Sequence, residues 1–529
     1  MREFNVTGVC VPNLHYMVDI SEKIEKIYKL VEGSKYFTIN RGRQYGKTTT
    51  IDRLEKYLTD NYICASISFQ FSKKEMFANE EGFCQTLLKL IHNALTFSNE
   101  EEAKLWIDKS ITDFLLLSEF ITKRCRNKKI VLIIDESDEA SDNNIFVTFL
   151  KMLRDKYLLR NTGKDFTFQS VILAGVYDVR NLKQKMILQG NYTPSSGEST
   201  MNSPWNIAVD FDIDMSFSAK EIETMLVEYE KDYHTGMNIS EIAQEIRFYT
   251  SGYPYLVSRI CLLIENKLDR NWTLKGVQEA IKIVLDEKST LFDDLFKKIE
   301  ENQELYYLLF DLTVGRIRYS YNADDPIIKI GLMFGFLEKG TDGLQIHNKI
   351  FEIRITNYFI SKNLRKWREN NNAQSPFNEI VTNNFFDMEL CLRKFQNHYS
   401  AIYTEKDLKF LERDGKLLFL TYLQPLINGR GFYHFESETR DFGRIDLIVD
   451  FLNQQFIIEL KLWYGDSKHI EAYEQLANYL KSKKMDSGYL VTFDFRKKRP
   501  ENFEECKWIE WEGKKIFDVV LRVGEETND

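Results

Sequence analysis

Two hydrophobic periods alternate along the first 217 residues. Short continuous apolar runs, Tyr36 to Ile39, Ile63 to Phe69, Ile130 to Ile134 and Ser170 to Val176, read as buried parallel strands, because a strand covered on both faces needs no polar alternation. Between them, apolar residues recur at helical spacing. VDISEKIEKIYKLVEG predicts a helix with its N-cap at Asp19 or Ser21 and its stop at Gly33. Ile51, Leu54 and Leu58 mark a second helix, and others are expected over about 80–98, 100–125 and 143–159. Strands alternating with helices predict a parallel sheet with ligands at the strands' carboxyl ends. Gly190 to Pro204, rich in Ser, Thr, Asn, Gly and Pro, reads as a loop, and IAVDFDIDMSF after it supplies the last strand.

From Ser218 the pattern is helical and contains the turn Ser251-Gly252-Tyr253-Pro254-Tyr255, which opens a helix through Lys267. Residues 366–386 are Asn-rich with little apolar periodicity and read as a linker. Beyond them a helical stretch from about Lys406 carries Phe410, Leu411, Leu417, Leu418 and Leu420, with Glu412 among them. Strands follow at Phe432 to Thr439, Arg444 to Phe451 and Gln455 to Trp463, then a helix from about Ser467 to Lys481 and a strand from Gly488 to Phe495. At 529 residues the chain exceeds a single core, and its length suggests about three or four domains.

Composition narrows the partners. A net charge of −9 excludes a uniformly basic nucleic-acid-binding surface; the basic run Lys123 to Lys129 is a local phosphate contact or, the blander reading, a solvated turn. Seven scattered Cys without C-x-x-C pairs argue for reduced thiols and no zinc site. No apolar run is long enough to span a bilayer and the amino end lacks a signal peptide's apolar stretch, so the expectation is a cytoplasmic protein without a membrane partner.

The chemistry begins at Lys35 to Thr50, KYFTINRGRQYGKTTT, a strand, a loop and a helix N-terminus. In a phosphate-binding loop, backbone N–H groups and the helix N-terminus cradle phosphates, a Lys neutralises the β/γ oxygens and the next hydroxyl holds Mg²⁺. Gly46, Lys47 and Thr48 supply those parts, with Arg43, Gln44, Tyr45 and Thr49 lining the loop. The pattern G-x-x-x-x-G-K-[ST] asks for a first glycine at position 41, where this chain has Arg41. Asp135 and Glu136 end the most apolar strand. Two adjacent acids there suit a metal site, with Asp135 holding Mg²⁺ through water and Glu136 polarising the water that attacks the γ-phosphate.

These motifs, the Gly252-x-Pro254 turn, and the segments Gly331 to Phe336 and Ile346 to Phe351 resemble the predicted AAA-ATPase-like family and the related STAND-type prokaryotic ATPases, over about residues 1–365. The resemblance implies a P-loop NTPase parallel sheet with an additional strand between the Lys47 and Asp135 strands, then a helical lid and a winged helix. In such relatives the first loop glycine tends to be absent, and Arg180 would stand as a phosphate sensor, although a surface Arg is the plainer reading.

The carboxyl-terminal strands carry Asp446 in Gly443-Arg444-Ile445-Asp446 and Glu459 with Lys461 in Ile458-Glu459-Leu460-Lys461, followed by Gln475 and Tyr479 on the next helix. Glu459 and Lys461, two apart, project from one face while Leu460 points into the core. Asp446 joins them if the two strands pair as a hairpin. Two carboxylates bind Mg²⁺, and Lys461 positions or helps deprotonate the attacking water; Gln475 and Tyr479 share a helix face that supports the site. The set G-x-x-D, E-x-K and Q-x-x-x-Y resembles the RecB-type branch of the PD-(D/E)XK nucleases over about residues 387–523, which implies a small α/β restriction-endonuclease-like domain. Glu412 matches the acid some members place on the first helix, or is a solvated helix Glu. The domain is slightly acidic, so Arg496-Lys497-Lys498-Arg499, or another domain or subunit, would grip DNA.

The expected organisation is therefore an α/β chain with a P-loop ATPase core (1–217), helical lid (218–290), winged-helix-like domain (291–365), linker (366–386) and nuclease-like domain (387–523). The expected function is an ATP-hydrolysing module coupled to a Mg-dependent nuclease in defence or mobile-element processes. Its catalytic residues are Asp446, Glu459, Lys461, Gln475, Tyr479 and Glu136, and its metal ligands Thr48, Asp135, Asp446 and Glu459. ATP, Mg²⁺ and nucleic acid, DNA foremost, are the expected partners, with a homo-oligomer left open. The rival is a signalling or scaffold NTPase whose nuclease fold binds nucleic acid or protein without cutting.

Overall fold

The computed structural model describes the chain except residues 1, 71–73, 138–142, 176–204, 315–316, 342, 371–376, 383, 403–411, 428–429, 436–444, 497–504 and 523–529, with backbone alone at 74–75, 363–370, 377–378, 398–402, 412–414 and 522. The described residues form two compact units, one of Met1–Ala280, Ser289–Leu295 and Ala323–Leu337, the other of Ile281–Lys288, Phe296–Asn322 and Glu338–Asp529.

The first unit is built on four parallel strands, β1 (Phe37–Asn40), β2 (Ile63–Ser68), β3 (Ile130–Asp135) and β4 (Ser170–Gly175), in the order β1-β4-β3-β2. Every residue of β3 and β4 is buried, as their unbroken apolar runs require for strands covered on both faces. The additional strand expected between the Lys47 and Asp135 strands is β4: Ile172 lies beside Phe37 on one side and Ile133 on the other. Val209 bridges Phe37 in parallel beyond β1, so the segment expected as a last strand contributes a single bridge. Its alternating Asp210, Asp212 and Asp214 interrupt the apolar run that a longer buried strand needs.

Helices α1 (Ser21–Glu32), α2 (Lys47–Leu58), α3 (Glu80–Leu95), α4 (Glu100–Lys104), α5 (Phe114–Cys125) and α6 (Asn144–Asn161) alternate with these strands. Neither candidate N-cap of α1 caps it by a side chain; Ile20 is the cap residue, while Asp19 accepts from the Ser21 N–H and hydroxyl. The core joins Phe83, Leu87 and Ile91 of α3 to Ile130, Leu132 and Ile134 of β3 and to Phe146, Phe149 and Leu153 of α6. A parallel sheet flanked by helices, with a strand-loop-helix at Gly46-Lys47-Thr48, is the α/β architecture of P-loop NTPases.

The basic run at 123–129 is mostly exposed, yet four of its cations have partners within the fold. Arg124 and Lys128 both pair with buried Glu102, and Arg126 and Lys129 lie over Phe166 and Tyr62. After the sheet come α7 (Ala219–Tyr233), closed at its N-terminus by a Ser218–Glu221 capping box, α8 (Ile239–Thr250) and α9 (Pro254–Lys267), which starts on Pro254 as the sequence predicts. No helix of the described residues is long and apolar enough to cross a membrane, and all seven Cys are free.

The second unit contains α10 (Lys349–Asn370), which runs into the stretch read as a linker. The same stretch holds a short helix at Phe377–Ile380 and paired strands at Val381–Thr382 and Phe385–Phe386, whose Ile380, Val381 and Phe386 are buried. Few apolar residues anchor these pieces, so periodicity does not reveal them.

Its main sheet has six strands, β5 (Gly431–His434), β6 (Leu447–Phe451), β7 (Gln454–Leu462), β8 (Ser487–Asp494), β9 (Cys506–Trp511) and β10 (Lys514–Arg522), in the order β9-β10-β8-β7-β6-β5. The β5, β6 and β7 pairings are antiparallel, β7, β8 and β10 run parallel, and β9 returns antiparallel on β10. The last two strands exceed the expected order of helix, three strands, helix, strand. Helices α11 (Met388–Ile402) and α12 (Glu412–Ile427) contribute Leu392, Phe395, Phe419 and Leu423 to one core with Leu460, Val491 and Val519. Helix α13 (Asp466–Ser482) packs Leu476 and Tyr479 against Ile448, Ile457 and Leu490 in a second.

Candidate functional sites

In the first unit β1 delivers the chain into the loop at Asn40, and α2 leaves it at Lys47. Two loop residues take the left-handed region, Gln44 at φ +55° and Gly46 at φ +75°. Arg41 does not, which explains why no glycine is needed there. Its guanidinium leaves the loop to donate to the carbonyls of Asn40 and Ile213, at 2.8 and 3.0 Å. The glycine one position later is the one the packing demands, since a Cβ on Gly42 would lie 2.6 Å from the Phe334 carbonyl oxygen.

Lys47 Nζ donates to the carbonyls of Arg41 and Gly42 at 2.8 and 2.9 Å, so its ammonium stays inside the loop. Thr48 Oγ1 donates to Asp135 Oδ2 at 3.0 Å across the β1 and β3 strand ends. That pairing of a hydroxyl with a carboxylate is a hard-oxygen donor set of the kind Mg²⁺ takes. Glu136 follows Asp135 in the left-handed region at φ +53°, and its N–H donates to Asp135 Oδ1 at 2.9 Å. A glutamate held there costs roughly 1–3 kcal/mol, a strain that clusters at functional positions.

The remaining loop residues are fixed by neighbours. Tyr45 packs edge-on against Tyr253 at 4.7 Å, and Tyr253 donates its hydroxyl to the Arg43 carbonyl. Gln44 reaches Thr290 at 3.2 Å, the exposed Arg43 stands 3.9 Å from Asp294, and Thr49 accepts from the Cys10 N–H at 3.2 Å. The Gly252-x-Pro254 turn thus sits directly against the loop. Arg180 lies outside the described residues.

In the second unit β6 and β7 pair as a hairpin with Leu447 opposite Ile458, which sets Asp446 across from Glu459. Both carboxyls are buried, at 7% and 0% exposure. The Asp446 N–H donates to Glu459 Oε2 at 3.2 Å, and the Leu460 N–H donates to Asp446 Oδ2 at 3.0 Å. Lys461 Nζ stands 2.6 Å from Glu459 Oε1. The three residues singled out in the sequence therefore meet at one place on the sheet. Leu460, between Glu459 and Lys461, is buried in the opposite core.

A fourth group was not foreseen. Lys416 of α12, 4% exposed, donates to Asp446 Oδ1 at 2.5 Å. Its signal is a lone Lys beside the apolar run Leu417, Leu418, Phe419 and Leu420, one turn after Glu412, whose side chain lies outside those described. Burial drives the Asp446 carboxyl up, but Lys416 and Lys461 outweigh it and hold it below the ordinary carboxylate range. Burial and then the Asp446 charge push Glu459 up to about 8. Two buried carboxyl groups, each accepting a backbone N–H of this hairpin end, supply hard oxygen donors of the kind a divalent cation takes. Among the described residues no group of three His, Cys, Asp or Glu gathers, and Asp446 and Glu459 are the two carboxyl groups they bring together here.

Tyr479 is buried in the core with Ile448 and Ile457, and Gln475 lines a pocket of about 180 Å³ together with Lys461. Two residues beside that pocket also escaped the sequence reading. His469 Nε2 lies 3.0 Å from Asp518 Oδ2, which also accepts from the Tyr473 hydroxyl at 2.6 Å. Asp518 is on a strand that periodicity left unassigned, so nothing in the sequence links it to His469. Arg496 forks onto buried Asp494 at 2.8–3.1 Å and stacks on Trp463 at 3.9 Å; the rest of its basic run lies outside the described residues.

The sequence matches no protein-family model, and no curated protein is detectably similar to it. Among solved structures, the Walker-type ATPase paby2304 of Pyrococcus abyssi is similar at 11% identity over 66% of this chain and 99% of its own, with a TM-score of 0.44. The ORC2 protein of Aeropyrum pernix, in its ADPNP–ADP complexes, is similar at 14% identity over 68% and 98%, with a TM-score of 0.35. The ORC1 protein of the same organism, in complex with DNA, gives 8% identity over 89% and 95%, with a TM-score of 0.28. Identities this low carry no residue roles from those proteins to this one.

Proposed function

We propose that this chain is a nucleotide-controlled, metal-dependent nuclease, in which an ATP-binding and ATP-hydrolysing module governs a phosphodiesterase domain acting on nucleic acid, DNA foremost. The observation that carries the reading is the meeting of Asp446, Glu459 and Lys461, with Lys461 2.6 Å from Glu459 and the Asp446 N–H 3.2 Å from the same carboxyl group. A fold has no need of two acidic side chains buried at neighbouring strand positions, where desolvation penalises both.

In this mechanism Asp446 and Glu459 would hold Mg²⁺, which when bound would supply Lewis-acid stabilisation of the scissile phosphate. Lys461 orients the attacking water and balances the charge that builds on the phosphate oxygens. The water oxygen forms the new bond to phosphorus, the bond to the leaving sugar oxygen breaks, and that oxygen takes a proton. Lys416 keeps Asp446 ionised, and Gln475 and Tyr479 fix the wall behind Lys461.

In the ATPase module Lys47 exchanges the Arg41 and Gly42 carbonyls for β- and γ-phosphate oxygens. Thr48 and Asp135 would hold the nucleotide's Mg²⁺, and Glu136 would orient the hydrolytic water. Residues 218–290 serve as the lid and 291–365 as the winged helix that carry nucleotide state towards the nuclease at 387–523. A second reading, a scaffold that binds without cutting, is favoured by the ion pairing itself: Lys416 and Lys461 already balance Asp446 and Glu459.

Purified protein incubated with single- and double-stranded DNA and RNA, with and without Mg²⁺ and ATP, separates the two. The nuclease reading expects Mg²⁺-dependent cleavage that Asp446→Ala and Glu459→Ala abolish together with metal binding, while Lys461→Ala keeps the metal and loses cleavage. Cleavage by all three variants at the wild-type rate sinks the site, and no cleavage under any condition leaves the scaffold.

A further inference from the structure

The pocket beside Lys461 has a built wall. Asp518, 3% exposed, holds His469 at 3.0 Å and Tyr473 at 2.6 Å through one carboxylate oxygen. The His469 ring lies 4.7 Å from both Trp463 and Tyr473, and Arg496 covers Trp463 at 3.9 Å. Trp463 is thereby committed to the wall. Tyr464 beside it lines the same pocket with 72% of its surface exposed, and a large aromatic so exposed at a cavity lip offers a face for stacking.

The lining carries two cations against one anion. Lys461 and Lys468 contribute ammonium groups, and the one carboxylate in the lining, Glu471, is held by Lys468 at 2.6 Å. Lys461 also touches Glu459, so the pocket opens next to the carboxylate pair. We propose that this pocket receives one unpaired nucleotide of the substrate strand, its base stacked on Tyr464 and its phosphate facing Lys461 and Lys468. The proposal rests on the nuclease reading and names its substrate class. A base within a duplex is paired and stacked and cannot enter a cavity, whereas a single strand, an end or an extruded base can. Stacking accepts any base, so the selection is for unpaired strand and not for sequence.

The test is fluorescence anisotropy of the full-length protein in EDTA, with a labelled oligothymidylate, an oligouridylate and a DNA duplex of equal length. Wild type is expected to prefer the unpaired strands, and comparison of the first two tells whether DNA or RNA is the better guest. Tyr464→Ala should weaken unpaired-strand binding roughly tenfold to a hundredfold, with Tyr464→Phe close to wild type and duplex binding unchanged. On an abasic oligonucleotide Tyr464→Ala should cost almost nothing, because the stacking partner is already gone. Equal affinity for duplex and single strand, an unaltered Tyr464→Ala, or an equal loss on the abasic strand overturns the pocket. Loss of binding in Tyr464→Ala by a protein that cuts nothing in Mg²⁺ sinks cleavage alone. Duplex cutting with indifference to Tyr464→Ala sinks the pocket alone, and a protein that binds no nucleic acid sinks both.

Discussion

Lys416 Nζ lies 2.5 Å from Asp446 Oδ1, and both residues are buried. Burial alone would raise the aspartate's pKa, and the lysine, with Lys461, brings it below the ordinary range. Lys416→Met removes one member of a buried pair and leaves a carboxylate facing apolar surroundings, which costs about 3–5 kcal/mol. Adding Asp446→Asn should recover much of that loss, since a neutral amide needs no cation. Urea denaturation of the two variants checks this. A Lys416→Met protein as stable as wild type means that Asp446 draws its charge balance from Lys461.

Lys47 and Glu136 act on different steps, so their variants should part company. Lys47→Ala deletes the ammonium that now donates to the Arg41 and Gly42 carbonyls, and should abolish ATP binding in calorimetry. Glu136→Gln keeps the shape of the left-handed residue after Asp135 and removes only its charge. It should bind ATP as wild type does and hydrolyse it roughly a hundredfold more slowly. Unchanged ATP affinity in Lys47→Ala ends the phosphate-loop assignment.

Both residue clusters are legible in the sequence because each follows a local rule. Strand followed by Gly46-Lys47-Thr48 is a contiguous signal, and Glu459 with Lys461 share a face by the two-residue period of a strand. What stayed hidden is what other elements bring. Lys416 comes from a helix and Asp518 from a strand after the expected last one, and no local pattern ties either to Glu459 or His469. The same limit explains residues 366–386: their short helix and strand pair are held by Ile380, Val381 and Phe386, too few for a period to register. Arg41 illustrates the converse, because the loop's strained positions are Gln44 and Gly46, so a rule written on the first glycine looked stricter than the backbone is.

Gly252 is where the turn against the phosphate loop becomes inflexible. Its φ is +72°, and a Cβ there would stand 1.9 Å from the Phe217 carbonyl oxygen, a backbone atom that also belongs to a residue whose N–H donates to the Gly252 carbonyl at 2.8 Å. Gly163 has nearly the same φ, +71°, with nothing near its Cβ position. Gly163→Ala should therefore cost only backbone strain, about 1–2 kcal/mol. Gly252→Ala should cost more than about 4 kcal/mol and, through Tyr253 on the Arg43 carbonyl, weaken ATP binding as well. Equal losses of stability in the two variants would mean that Phe217 yields freely and that the turn does not brace the loop.

The Glu459 carboxyl makes the stability of the domain around Asp446 and Glu459 depend on pH in a direction opposite to the usual one for acids. Its folded value is pushed up to about 8 from an ordinary 4.5, by burial first and the Asp446 charge second. Between those values the folded protein holds a proton that the unfolded chain has lost, so stability is full below about pH 4.5 and falls as pH rises to about 8. The slope is at most on the order of 1.4 kcal/mol per pH unit. Asp446, held low by Lys416 and Lys461, contributes the reverse slope, but only below its ordinary 3.8, outside this window. Metal-free protein melted across that window should thus show a falling Tm, and Glu459→Gln, which has no proton to lose, should lack that part of the fall. Mg²⁺, if Asp446 and Glu459 hold it, would bind the ionised carboxylate and so favour the form that burial opposes; its stabilisation should be largest near pH 8 and fade towards pH 5. A Glu459→Gln protein with the wild-type slope would place the titration elsewhere. A wild-type curve that Mg²⁺ leaves unmoved at every pH would mean that Asp446 and Glu459 hold no metal, and that Lys416 and Lys461 are their only cations.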